Sequence, residues 1–112
     1  MNKKTNKYLN KNQKVWQVFR ATNSCVAKIV KKDKQCKEMA IEIASQAEKA
    51  INYYSLVACV AVKRNENPNR YVLECTSALE ALTYKLHLIV KLYLNKWMLN
   101  MANKFQKEIG HG

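Results

Sequence analysis

Two histidines and four cysteines are the side chains of this 112-residue sequence best suited to proton transfer, nucleophilic attack or metal binding. Their spacing argues against all three. His87 lies between Tyr84 and Lys91 at helical intervals, without a nearby carboxylate and nucleophile at that spacing, so it reads as an exposed or partner-facing side chain. His111 stands between two glycines. No arginine occupies positions 80 to 83 or 104 to 107, where a helical ribonuclease would set one ahead of its histidine. The paired Glu-x-x-His motifs of a di-metal bundle are also missing. Cys25, Cys36, Cys59 and Cys75 include no Cys-x-x-Cys pair and are expected as small buried hydrophobes, not as a zinc site or a disulfide framework. The expectation is a protein that is not an enzyme and holds no metal or cofactor.

Charge is the stronger signal. Lysine and arginine number 20 against 8 aspartates and glutamates, a formal net charge of +12. Such an excess repels itself in a compact chain and favours an anionic partner, nucleic acid first and anionic membrane second. It is also local: residues 1–37 carry eleven Lys or Arg and the single acid Asp33, whereas residues 38–62 are net acidic. Lys3, Lys7, Lys11 and Lys14 recur at i, i+4 and i+3, so a helix running back through them would line one face with like charges. A phosphate backbone would neutralise that row and release counterions, making affinity steeply salt-dependent. With Lys4, Arg20, Lys28, Lys31 and Lys32 these residues form the expected nucleic-acid contacts; a solvated lysine-rich tail is the plainer alternative.

The elements that must carry these residues follow from the breakers. The only glycines are Gly110 and Gly112 and the only proline is Pro68, which leaves no place for glycine-dependent hairpins, phosphate loops or nucleophile elbows and predicts an all-α fold. Val15, Trp16, Phe19, Val26, Ile29 and Val30 form a first stripe over residues 9–31, with a turn near Lys32 to Lys34 and Asp33 as the next N-cap. Met39, Ala40, Ile43, Ala44, Ala47, Ile51, Tyr54 and Ala58 form a second over 34–62. Asn67 and Pro68 suit the cap and first position of a third helix, whose stripe runs through Tyr71, Cys75, Ala78, Leu79, Leu82, Leu86, Ile89, Val90 and Tyr93. Trp97, Met98, Met101, Ala102, Phe105 and Ile109 continue the spacing.

One helix through both last segments would exceed about 60 Å, too long for a compact domain of this size, so a break is expected at Leu94 and Asn95. The predicted architecture is an up-down-up-down antiparallel four-helix bundle over residues 9–110, preceded by a basic arm at 1–8. Trp16, Phe19, Trp97 and Phe105 are expected in its core, while Tyr8, Tyr53 and Tyr84 lie nearer polar faces and suit a base or a protein surface. On the third helix Glu80, Tyr84, His87 and Lys91 share a mixed polar face. The basic start lacks the apolar stretch of a secretion signal, and the longest apolar run, Leu56 to Val62, is too short to span a bilayer, so a cytoplasmic protein with no membrane partner is expected.

The run from Arg70 through Tyr71, Glu74, Ala78, Leu79, Glu80, Leu82, Tyr84, Leu86 and His87 to Leu88 resembles the third helix of the accessory variability determinant proteins of diversity-generating retroelements. Phe105-Gln106-Lys107-Glu108-Ile109-Gly110 is similar to that family's last-helix ending, and the likeness covers about residues 12–110. The same bundle is shared with proteins encoded in ribosomal RNA intervening sequences. The resemblance implies a non-catalytic bundle that forms a homo-oligomer, a pentamer. It implies binding to a reverse transcriptase and its template RNA, in support of mutagenic cDNA synthesis. Tyr84, Lys85, His87 and Lys91 are then the expected partner-binding residues. The rival expectation is a structural helical subunit of another ribonucleoprotein or phage assembly.

Overall fold

A computed structural model describes the backbone of residues 3–110 and the side chains of residues 7–110. Among these described residues there are three helices: α1 (Lys3–Ile29), α2 (Lys34–Lys63) and α3 (Asn69–Gly110). The all-α class is as the sequence predicts. The count is three, not four, because no break occurs at Leu94 and Asn95 and α3 runs for 42 residues. Nothing in the local sequence stops it: no glycine or proline lies between Asn69 and Ile109, and Leu, Met, Lys and Ala are good helix formers. The expected break rested on overall compactness, which this molecule does not have; its long axis is 76 Å against 22 and 17 Å across.

Both turns are built by local side-chain chemistry. The Asp33 carboxylate accepts the backbone N–H of Cys36 at 2.9 Å, capping α2 where expected. At the other end of α2, Asn65 takes a positive φ of 57°. The N–H groups of Glu66 and Asn65 then donate to the carbonyls of Ala61 and Val62, a Schellman ending in which asparagine replaces the usual glycine. This is how a chain without glycine in its body still turns sharply. The Asn67 side chain accepts from the Asn69 N–H at 3.0 Å, and Pro68 sits between them, opening α3.

With two tight turns the path is up, down, up, so α1 and α3 run parallel. Two cross-links fix that alignment. Asn12 donates from its amide to the Thr76 hydroxyl at 2.9 Å near the start of both helices. At the far end Lys96 of α3 reaches Asp33, at 3.4 Å, and Gln35 beside the α1–α2 turn. α3 supplies the spine: it packs along both α1 and α2, which meet each other only sparingly.

The core lies between these three helices. Phe19, Val26 and Val30 meet Cys36, Ala40, Ile43 and Ala47, and both groups meet Cys75, Leu79, Leu82, Leu86 and Ile89. Val15, Trp16, Ile51, Tyr54, Val90 and Tyr93 pack against its edge. Beyond Lys96 no helix among the described residues accompanies α3. Trp97 and Phe105, expected in the core, are 54% and 63% exposed, and the residues around them are exposed as well. Ile29 and Met39 are likewise only partly covered. Cys36 and Cys75 are buried as expected, but Cys25 and Cys59 are exposed, because each falls outside the arc of its helix that faces a neighbour.

Candidate nucleic-acid interface

α1 begins at Lys3, so the basic start and the first helix are one element. At 100° per residue, Lys7, Lys11 and Lys14 fall within an arc of about 60°, about a third of a turn from the buried Phe19 and Val26. All three are exposed. The Lys3 and Lys4 positions belong to the same helix, but their side chains lie outside the described residues. Like charges at this spacing weaken an isolated helix; here the burial of Phe19 and Val26 on the other side holds it.

The expected contact set does not form one patch. The strip that carries Lys7, Lys11 and Lys14 next passes over Val18, Ala21 and Cys25, all exposed and uncharged, before it reaches Lys28. Arg20 projects from nearly the opposite side of α1, with its guanidinium 5.9 Å from the centre of the Trp16 ring. That cation–π contact gives Arg20 a partner within the chain. Trp16 in turn stacks on Phe19, with ring centres 5.7 Å apart.

Lys28, Lys31 and Lys32 form a second group at the α1–α2 turn, where Lys34 and Lys37 join them, all exposed. Sequence reasoning left these last two out, although their nearness in the chain to Lys31 and Lys32 was visible. Asp33, in the midst of five lysines, is held below its ordinary carboxyl value chiefly by the Cys36 N–H; burial opposes this in part, and Lys96 adds a weaker downward pull. Cys36 is shifted the other way, its thiol raised by burial and by the neighbouring Asp33. The turn therefore keeps one ionised acid engaged as a cap while its lysines stay free to meet an anion.

A third basic group gathers at the opposite end of the molecule. Lys63 and Arg64 close α2 and Arg70 opens α3, all exposed. Arg70 pairs with Glu74 at 3.1 Å, which raises the guanidinium further. Lys63 shares an apolar cleft of about 410 Å³ with Leu9, Ala58, Cys59, Val62, Pro68 and Val72.

On α3, Tyr84, His87 and Lys91 emerge within an arc of about 60° and are exposed, together with Glu80. Lys85 stands about a third of a turn away, so the expected partner-binding set is brought together in three of its four members. Among the described residues no group of three His, Cys, Asp or Glu side chains can hold a metal ion, and no helix is long and apolar enough to cross a membrane.

Fold and charge define a class: a strongly basic, all-helical rod with cations at both interhelical turns and along one helix. No family model, no curated protein and no solved structure matches the chain.

Proposed function

We propose that this protein is a non-catalytic RNA-binding accessory subunit that works with a reverse transcriptase, the role implied by its resemblance to the accessory variability determinant proteins. One observation carries the RNA-binding part. Lys7, Lys11 and Lys14 are exposed on one strip of α1, and the same helix leads to the lysines of the α1–α2 turn. RNA laid along α1 meets phosphate contacts at both ends of the helix, and the uncharged stretch between them lets the strand pass without repulsion. Tyr84, Lys85, His87 and Lys91 are assigned to the protein partner.

The test is RNA affinity across a salt series. Single-stranded RNA bound through four or five phosphates gives a log–log slope of about −3. Replacing Lys7, Lys11 and Lys14 by glutamine together removes about 2 from that slope. Binding that ignores salt, or a triple variant with the parent slope, overturns the reading. The partner is tested separately, by whether purified reverse transcriptase needs the protein to copy its template RNA.

The exposed apolar end of α3 favours a second reading, a structural subunit whose charge serves solubility. That reading predicts a defined assembly that leaves RNA unshifted on a gel.

A further inference from the structure

Residues 97–110 of α3 form a free helical end about 20 Å long, and their apolar face is uncovered. Leu94, Met98, Met101, Phe105 and Ile109 fall within an arc of about 80°, and each is between 47% and 64% exposed. The buried arc of α3, from Ile89 and Leu82 through Leu79 to Thr83 and Thr76, is centred about a quarter of a revolution away and meets the stripe at one edge. The free end therefore prolongs only one margin of the packed face, the side on which Thr76 meets Asn12 of α1. Its stripe points to one side, where a separate helix can lie along it.

We propose that the occupant is the same segment of a second copy, paired antiparallel about a two-fold axis near residues 103 and 104. Two features of charge select it. The first is Lys104 and Glu108, on one edge of the apolar stripe and about 40° apart on the helix. They form no salt bridge with each other or with any other described residue. Antiparallel pairing brings the same edges of two helices together. It sets Lys104 of each copy about five residues along from Glu108 of the other, on the flank of the seam where charged side chains of paired helices form salt bridges. One contact thus becomes two reciprocal ones.

The second feature is the end of the helix. With residues 97–110 fully overlapped, the C-terminal pole of α3 arrives at the α1–α2 turn of the other copy. There the lysines at 28, 31, 32 and 34 face a helix end that carries partial negative charge. Ile29, 46% exposed at the end of α1, extends the apolar contact at that point. Met98 then packs against Ile109 of the second copy, and Met101 against Phe105. The interface is isologous and closes at two copies. It leaves Lys7, Lys11 and Lys14 untouched but draws on Lys28, Lys31 and Lys32 of the turn, which the RNA reading also uses.

The experiment is a concentration series of the full chain by sedimentation equilibrium, with circular dichroism of each variant to show that the helices persist. Two copies in reversible equilibrium are expected. Lys104→Glu or Glu108→Lys alone places like charges opposite each other twice per dimer and weakens association on the order of tenfold. The double variant Lys104→Glu with Glu108→Lys recovers it. Phe105→Ser abolishes the dimer without loss of body stability. A monomer at the highest concentration, a particle of five copies such as the resemblance implies, or a dimer indifferent to the charge exchange overturns the proposal.

Discussion

The two halves of α3 have a similar share of apolar residues and opposite fates. From Val72 to Ile89 the apolar residues meet two other helices, and Leu79 and Leu86 are fully buried. From Trp97 to Ile109 the same kinds of residue, at the same spacing, stand in the open. The helical period is a property of one segment, whereas burial needs a second surface. Periodicity therefore finds the stripe and leaves open what covers it. α1 and α2 are 27 and 30 residues long, and a body built from them covers about 45 Å of a helix that runs for about 63 Å.

The sharpest way to break this comparison is to truncate one side chain in each half. Leu86→Ala opens a cavity at a position with no exposure and should cost about 2–5 kcal/mol in urea or thermal unfolding. Phe105→Ala, measured dilute enough that copies do not meet, should lie within about 0.5 kcal/mol of the parent. Equal losses at the two positions would mean that the end of α3 is packed against the body in solution, and the continuous helix would be wrong.

How much was legible follows the same division. The helix ends at Asp33, Asn67 and Pro68 were readable because a cap and the N–H it receives lie two or three residues apart. The stripes were readable over the body, and Phe19, Ala40, Ile43, Leu79 and Leu86 are buried as their spacing requires. The continuity of α3 through Leu94 and Asn95 was not, since the expected break came from an assumed shape and no residue there enforces it. The basic row was legible as a row. That Arg20 leaves it for Trp16 follows from its place on the helix, which the spacing gives once the core side is known. The asparagine at the end of α2 was readable only in part. Asn65 lies in an evident loop, but a positive φ is a property of the turn that forms.

Asn12 shows what no local pattern can reveal. It sits in a run of lysine, asparagine and glutamine that resembles a solvated tail, yet its amide donates to Thr76, 64 residues away. Thr76 is buried and its hydroxyl also donates back to the Val72 carbonyl, so it can accept only from a partner brought in by α1. This bond ties the basic helix to the half of α3 that is already packed. Asn12→Ala should cost about 1 kcal/mol, less than Leu86→Ala. It should also raise amide exchange in the first turns of α1 more than in α2, because that is where the support is lost. Uniform exchange changes along all three helices would assign Asn12 no special place.

The smallest expected effect lies at the boundary between the two halves of α3, where Lys96 meets Asp33. The carboxyl of Asp33 is held below its ordinary value of 3.8, chiefly by the Cys36 N–H and then by Lys96. A carboxyl depressed in the folded state stabilises the fold fully above its unfolded value, and that contribution is lost as pH falls through the lower, folded value. The protein should therefore lose part of its stability below about pH 4. Asp33→Asn keeps an oxygen for the Cys36 N–H but has no charge to lose, so its cap survives at every pH while the attraction to Lys96 is absent throughout. Thermal melts at pH 7 and pH 3 separate the two. The parent should fall further than the variant between those values, and the gap between them should narrow at the acid end. A variant that falls as steeply as the parent would show that the charge on Asp33 does not couple the turn to α3. The alignment of α3 with the body would then rest on apolar packing, the Asn12–Thr76 bond and the contact of Lys96 with Gln35.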